Sequence, residues 1–227
     1  MKTVLVTGAG RGIGYATAEK FSAEGWHVLS LDKNFGNKVI GSRIDFDLTR
    51  LDDIGALVTS LGAIDTLVNN AAVLYCDPMG AIPQGHVDQI LKVNLFAPAR
   101  LIESVAPHMK AVGSGRIVSV GSVSAFTGHP DLWYGASKAA LLNLTKSYAS
   151  HFGRHGILVN AVAPGPTATD MYEQLPDSRK ESVMSSVHFG RPCSPEEVAE
   201  TIYWVGSSSP SYISGSTIDV NAGSYPR

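Results

Sequence analysis

The chain has 227 residues, 44% of them hydrophobic and 17% charged, with 23 glycines and a formal net charge of −2. That composition excludes a disordered chain and gives enough residues for a sizeable core. With no basic run it lacks the footprint of a nucleic-acid binder, and no apolar run approaches the roughly 18–20 residues of a membrane helix.

The first strand is expected over 3–7. Val4-Leu5-Val6 already reads as strand and leaves no room for a targeting peptide. A glycine-rich turn follows at once, Thr7-Gly8-Ala9-Gly10-Arg11-Gly12-Ile13-Gly14, and opens a helix over 12–25. Glycines let a backbone approach a ligand closely. The helix N-terminus behind them offers free N–H groups and a positive dipole end, which suits a pyrophosphate. The spacing is G-x-x-x-G-x-G, not the general G-x-G-x-x-G, and alone it is weak evidence.

The second strand, 27–31, is followed by Asp32, 18 residues after Gly14. A carboxylate there can accept hydrogen bonds from adenosine ribose hydroxyls and repel a 2′-phosphate, which favours NAD over NADP. Arg11 and Lys33 pull the other way, since either could meet a phosphate. The eight residues between Asp32 and Gly41 are too few for a helical crossover, which takes about a dozen. An irregular connection is therefore predicted over 33–40, before a third strand at 41–45.

Helices are then expected over 50–62, 84–112, 134–154 and 195–207, alternating with strands at 65–69, 115–121, 156–162 and 216–220. This alternation implies a parallel sheet, and with no linker or repeat the chain reads as one domain over 1–227. Cys76 and Cys193 have neither CxxC spacing nor a His cluster, so they read as reduced thiols of a cytoplasmic protein, and no metal site is expected.

Tyr134 and Lys138 stand four apart on one helix face. A free phenol, with pKa about 10, is a poor base near neutrality. An ammonium about 4 Å away, at an effective dielectric near 20, would favour the phenolate by roughly 4 kcal/mol. That would bring Tyr134 into range for acid–base work. A lone Y-x-x-x-K is nevertheless common by chance.

The joint order of motifs is far more specific: the Thr7 to Gly14 turn, Asn69-Asn70-Ala71-Ala72, Asn94, Ser122, Tyr134/Lys138 and Pro164-Gly165. In this order the chain closely resembles the short-chain dehydrogenase/reductase family in its basic single-domain form, from Thr3 to about Gly223. The resemblance implies a doubly wound Rossmann fold, with a parallel seven-stranded sheet and helices on both faces. It implies a nicotinamide cofactor, with NAD preferred through Asp32 and NADP as the alternative. It implies a small alcohol or ketone substrate and a homodimer or homotetramer.

The resemblance also implies roles. Ser122 would hold the substrate oxygen, with Ser119 and Ser124 as nearby alternatives. Tyr134 would exchange the proton, and Lys138 would lower the tyrosine pKa and bind the nicotinamide ribose. Asn94 would hold a water linking Lys138 to solvent. Gly8, Arg11, Gly12, Ile13 and Gly14 would cradle the phosphates, with Asn70 and Ala71 on the adenosine side and Asp47 and Leu48 near adenine. Pro164, Gly165, Thr167 and Thr169 would line the nicotinamide end. Ala72 departs from the family's usual glycine, and the Ser122–Tyr134 loop is slightly short.

A substrate loop is expected over about 170–194. Phe126, His129, Trp133, Met171, Tyr172, His188 and Phe189 flank the implied cleft. Two other readings compete. One is a nucleotide-binding scaffold without chemistry, against which the intact Asn94, Ser122, Tyr134 and Lys138 set argues. The other is an epimerase or dehydratase, whose C-terminal substrate domain is not expected here. The face of the 134–154 helix opposite the catalytic pair carries Ala136, Ala139, Ala140, Asn143, Ser147 and Ser150. So many small residues on one face predict a subunit interface there.

Overall fold

A computed structural model describes residues 1–226 of the chain. Seven strands form one parallel sheet in the order β3-β2-β1-β4-β5-β6-β7. They are β1 Thr3–Thr7, β2 His27–Asp32, β3 Ser42–Asp45, β4 Thr66–Asn69, β5 Gly115–Val120, β6 Ile157–Pro164 and β7 Thr217–Val220. The helices are α1 Gly12–Ala23, α2 Ile54–Leu61, α3 Gln84–Leu91, α4 Ala97–Val112, α5 Leu132–Phe152, α6 Asp170–Glu173, α7 Asp177–Met184 and α8 Pro195–Ser207.

The central strands are apolar on both faces because helices cover both. Alternation along β1 sends Val4 and Val6 to one side and Leu5 to the other. On the first side they meet Ala18 and Phe21 of α1 and Val198, Ile202 and Val205 of α8. On the second, Leu5 joins Val58 of α2, Leu101 and Val105 of α4 and Phe152 of α5. Register is strict: Leu5 stands between Leu29 of β2 and Leu67 of β4.

The sheet order also fixes where a ligand must sit. The chain winds outward from β1 to β2 and β3, then crosses back to β4 on the other side. Connections therefore diverge at the C-terminal ends of β1 and β4, opening the crevice in which doubly wound folds bind ligands.

Most elements lie within two residues of expectation. As predicted, no helix bridges β2 and β3; Gly41, at φ +68, turns the chain against Val28, whose carbonyl would lie 2.2 Å from an added Cβ. The predicted single helix over 84–112 is corrected. It is broken into α3 and α4 by a π turn over Lys92–Phe96. Pro98 stands in the first turn of α4, four residues after Asn94, and has no N–H for that carbonyl. The wider turn resolves the conflict and holds Asn94 fully buried. The loop expected over 170–194 contains two helices, α6 and α7. No described helix is long and apolar enough to cross a membrane.

Candidate active site

The turn after β1 is shaped by its glycines. Gly8 adopts φ +67, and a Cβ on Gly14 would lie 2.0 Å from the Gly8 carbonyl oxygen. No other residue fits at Gly14, so the first turn of α1 packs directly on the loop. Asn70 secures the same loop from β4: its Nδ2 donates to the carbonyls of Thr7 at 2.9 Å and Gly8 at 3.3 Å. Thr7 Oγ1 accepts from the Asn70 and Ala71 amides at 3.0 and 3.1 Å. The result is an open backbone cradle at a helix N-terminus, and it fits a dinucleotide pyrophosphate.

Asp32 lines the cavity beside this cradle. Its Oδ2 accepts from the Gly10 amide at 2.9 Å and its Oδ1 from the Asn34 amide at 3.0 Å. Each oxygen keeps a lone pair for a ribose hydroxyl. Both nearby cations are engaged: Arg11 lies 3.7 Å from Asp170 and Lys33 3.8 Å from Asp47.

A continuous cavity of about 660 Å³ runs from this cradle past the ends of β4, β5 and β6. Its walls include Gly8, Arg11, Gly12, Ile13, Asp32, Asp47, Leu48, Asn70 and Ala71, then Ser122, Tyr134, Lys138, Pro164, Gly165, Thr167 and Thr169. Two of the expected residues lie behind the wall. Gly14 supports the loop, and Asn94 braces the next segment: its Oδ1 accepts from Val73 N at 2.8 Å, and its Nδ2 donates to Val73 O at 3.0 Å and Ser137 Oγ at 3.2 Å. The Asn94 side chain therefore holds the segment after β4 against α5.

The reactive end differs from expectation in its electrostatics. Lys138 is 2% exposed, and its Nζ donates to Val120 O at 2.7 Å. It sits 5.7 Å from the Tyr134 ring centroid. Burial pushes Lys138 down to about 8 and pushes Tyr134 up to about 12. The hydroxyl that pulls Tyr134 back is Ser122, through a hydrogen bond. In the protein without cofactor, desolvation is the largest influence on both groups, and the Lys138 ammonium gives one of its three N–H bonds to Val120 O. Among the three serines, Ser119 is fully buried in β5 without a hydrogen-bond partner among the described residues. Ser124 lines the cavity but its hydroxyl is sealed, while its amide donates to Ser122 Oγ at 3.1 Å.

Beyond Tyr134 the cavity is lined by His129, Met171 and Tyr172, and also by Val73, Leu74, Tyr75, Leu175, Arg179 and Val183. The latter six carry no sequence signal: Val73, Leu74 and Tyr75 lie on the segment after β4, and Leu175, Arg179 and Val183 on the α6–α7 segment, a lid folded over the cavity. Phe126, Trp133, His188 and Phe189 are not on its walls; Phe126 stacks on Tyr225 at 5.8 Å, and Phe189 is 73% exposed. No group of three or more potential metal ligands comes together among the described residues.

The chain is similar to known proteins over nearly its whole length. A family model described as enoyl-(acyl carrier protein) reductase matches residues 8–225. The chain is 34% identical over 238 residues to 3-oxoacyl-(acyl-carrier-protein) reductase FabG of Thermotoga maritima, covering 98% of this chain and 97% of that protein. It is also 34% identical to the short-chain reductase protein NovJ of Streptomyces niveus, over 96% of this chain and 92% of that one. Among solved structures, an NAD(P)-dependent gluconate 5-dehydrogenase so described from Beutenbergia cavernae, with NADP bound, superposes with a TM-score of 0.93 at 33% identity, covering 98% and 96% of the two chains. ElxO with NADP bound superposes at 0.89 with 26% identity, covering 98% of each.

Proposed function

The chain belongs to the short-chain dehydrogenase/reductase family, and on that premise we propose that it is an NAD(H)-dependent oxidoreductase interconverting a secondary alcohol and a ketone. The observation that carries the reading is one cavity with a phosphate cradle and Asp32 at one end and the Ser122, Tyr134 and Lys138 polar groups at the other. A bound nicotinamide dinucleotide would supply or accept the hydride.

The chain's own residues supply the rest. Gly8, Arg11, Gly12 and Ile13 would hold the phosphates, with Gly14 letting α1 pack on the loop and Asn70 and Ala71 fixing it. Asp47 and Leu48 would flank adenine, and Pro164, Gly165, Thr167 and Thr169 the nicotinamide end. Ser122 would donate to the substrate oxygen. Tyr134, raised to about 12, is a protonated phenol at neutral pH, able to donate to that oxygen in reduction. In oxidation the phenolate must form first, helped by the ammonium of Lys138, while Ser122 keeps its one O–H on the substrate oxygen. Asn94 would act through Ser137 and Val73, keeping the α5 groups and the cavity wall in register.

Asp32 supports NAD(H), since a 2′-phosphate would meet its carboxylate, while Arg11 and Lys33, in exposed pairs 3.7 and 3.8 Å from Asp170 and Asp47, are the groups that would favour NADP(H). The solved relatives named above bind NADP, so cofactor choice is a property to measure on this chain. Free Cys76 and Cys193 support a reducing, cytoplasmic setting.

The test is a panel of secondary alcohols and ketones, followed by nicotinamide absorbance with both cofactors. The wild type is expected to show higher kcat/KM with NAD(H), and Asp32→Ala to narrow the gap. Tyr134→Phe is expected to lose at least about a hundred-fold in kcat while keeping cofactor affinity, since it removes only the proton-transfer oxygen. Undiminished turnover in Tyr134→Phe would sink the mechanism, and a wild-type preference for NADP(H) would sink the role of Asp32.

A further inference from the structure

His129 stands on the loop between Ser122 and α5, and its imidazole lines the cavity beside Tyr134 with ring centroids 5.8 Å apart. Its orientation is set by the backbone. The Asp131 amide donates to His129 Nδ1 at 3.2 Å. The Asp131 carboxylate lies 3.5 Å from the same nitrogen, but both its oxygens accept from Arg179, so the amide bond sets the tautomer and the neutral ring holds its proton on Nε2. Burial favours the neutral form, pushing the imidazole below its ordinary range. Nε2 has no hydrogen-bond partner among the described residues, and it is not among the sealed polar atoms.

The ring is also held in place. Gly135, in the first turn of α5, would bring a Cβ within 3.1 Å of His129 Cβ, so the histidine packs directly on that helix. Asp131, which fixes the tautomer, is itself clamped by Arg179 of α7: Nη1 donates to Oδ1 at 2.9 Å and Nη2 to Oδ2. An oriented donor therefore waits on the same cavity wall as the Tyr134 hydroxyl.

We propose that His129 is a specificity-determining residue, whose Nε2–H donates to a second oxygen of the substrate, one or two carbons from the reacting carbonyl. The substrate class is then an α-hydroxy or β-oxo ketone. The inference rests on the oxidoreductase reading given above. Tyr134 and Ser122 take the reacting oxygen, while His129, displaced along the wall, reaches an oxygen on a neighbouring carbon. A plain ketone leaves Nε2 without a partner in a partly desolvated site, and that unpaired donor is a loss relative to the oxygenated substrate.

The experiment compares matched ketone pairs with the full chain and its cofactor: acetoin against butanone, and methyl acetoacetate against pentanone. The wild type is expected to prefer the oxygenated member of at least one pair by about ten-fold in kcat/KM. His129→Phe is expected to bring that ratio close to one, leaving the plain ketone within a few-fold of wild type. His129→Gln, which retains an N–H donor, is expected to keep part of the preference. A wild type without preference in either pair overturns the inference and needs no variant to show it. So does a His129→Phe enzyme that loses both members equally, which marks a structural role alone. Failure to turn over any ketone overturns the oxidoreductase reading itself, whereas turnover without preference overturns only the role of His129.

Discussion

Lys138 is the most costly side chain in the site to bury. It is 2% exposed, has one hydrogen bond, to Val120 O, and burial lowers it from its ordinary 10.5 to about 8. Below about 8 the amine is charged in both folded and unfolded chains, and this burial costs about 3 kcal/mol. As pH rises from about 8 to 10.5 the folded chain loses the proton first, the unfolded chain holds more protons, and the contribution to stability rises. Tyr134 acts oppositely and later, costing stability as pH rises from 10 to about 12. Lys138→Met removes the buried charge but leaves the Val120 carbonyl unpaired, an offset of about 1 kcal/mol. The variant is expected to be inactive, yet to melt on the order of 5 °C higher at pH 7 without cofactor. Its advantage should shrink as pH approaches 10.5, while Tyr134 cancels between the two proteins. Thermal melts by circular dichroism from neutral to alkaline pH check this; a pH-independent gap, or a lower melting variant, refutes it.

Among the elements, α7 is held weakly by packing. Like α6 it has no buried residue, and its sequence, Asp-Ser-Arg-Lys-Glu-Ser-Val-Met, has no continuous apolar face. Its firmest tie is Arg179, whose bidentate pair with Asp131 sits where the Asp131 side chain is 2% exposed and the arginine 22%. Losing one partner of a buried pair leaves a costly lone charge, but a lid can relieve that by opening to water. Arg179→Met is therefore expected to raise KM by about ten-fold and to speed amide exchange over residues 170–190, with little change in the global melt. Unchanged exchange in the lid would show that α7 is held by other contacts.

The same element shows what the sequence could and could not reveal. The glycine turn, Asp32, Ser122 and the Tyr134/Lys138 pair were legible because each is a short pattern at a strand end or on one helix turn. The π turn at Lys92–Phe96 was not, because apolar periodicity runs through it and only Pro98 marks the conflict. Polar α7 carries no periodic signal for a helix to be read from. The cluster of His129, Asp131 and Arg179 was hidden for another reason: 48 residues separate the two ends of its ion pair, and only the folded lid joins them. The electrostatics of Tyr134 carry a part no sequence shows, since a pairwise charge estimate omits the desolvation of both Tyr134 and Lys138.

At the scale of the whole molecule, α5 presents two unlike faces. Inward it buries Lys138, Leu141, Leu142, Thr145 and Phe152. Outward, Ala136, Ala139, Asn143, Ser147 and Ser150 are exposed, with Ala140 and Leu144 half-buried at the edges. Lys146 is the charged residue among the exposed positions of this helix. A helix that faces water normally spreads charges there, whereas small side chains let a second backbone approach closely. The neighbouring α4 adds an apolar margin: Phe96, just before it, is 46% exposed, and Val112 at its end is 58% exposed. These features together predict that the chain assembles as a closed homodimer or homotetramer through α5 and α4. Sedimentation at micromolar concentration is expected to give a species of at least twice the 24.0 kDa chain mass. Ala139→Arg sets a long charged side chain on the outward face, away from the core, and is expected to shift the population to the single chain while its circular dichroism spectrum stays unchanged. Assembly through α5 is refuted by a wild type that sediments at 24.0 kDa, and equally by an Ala139→Arg variant that remains fully assembled.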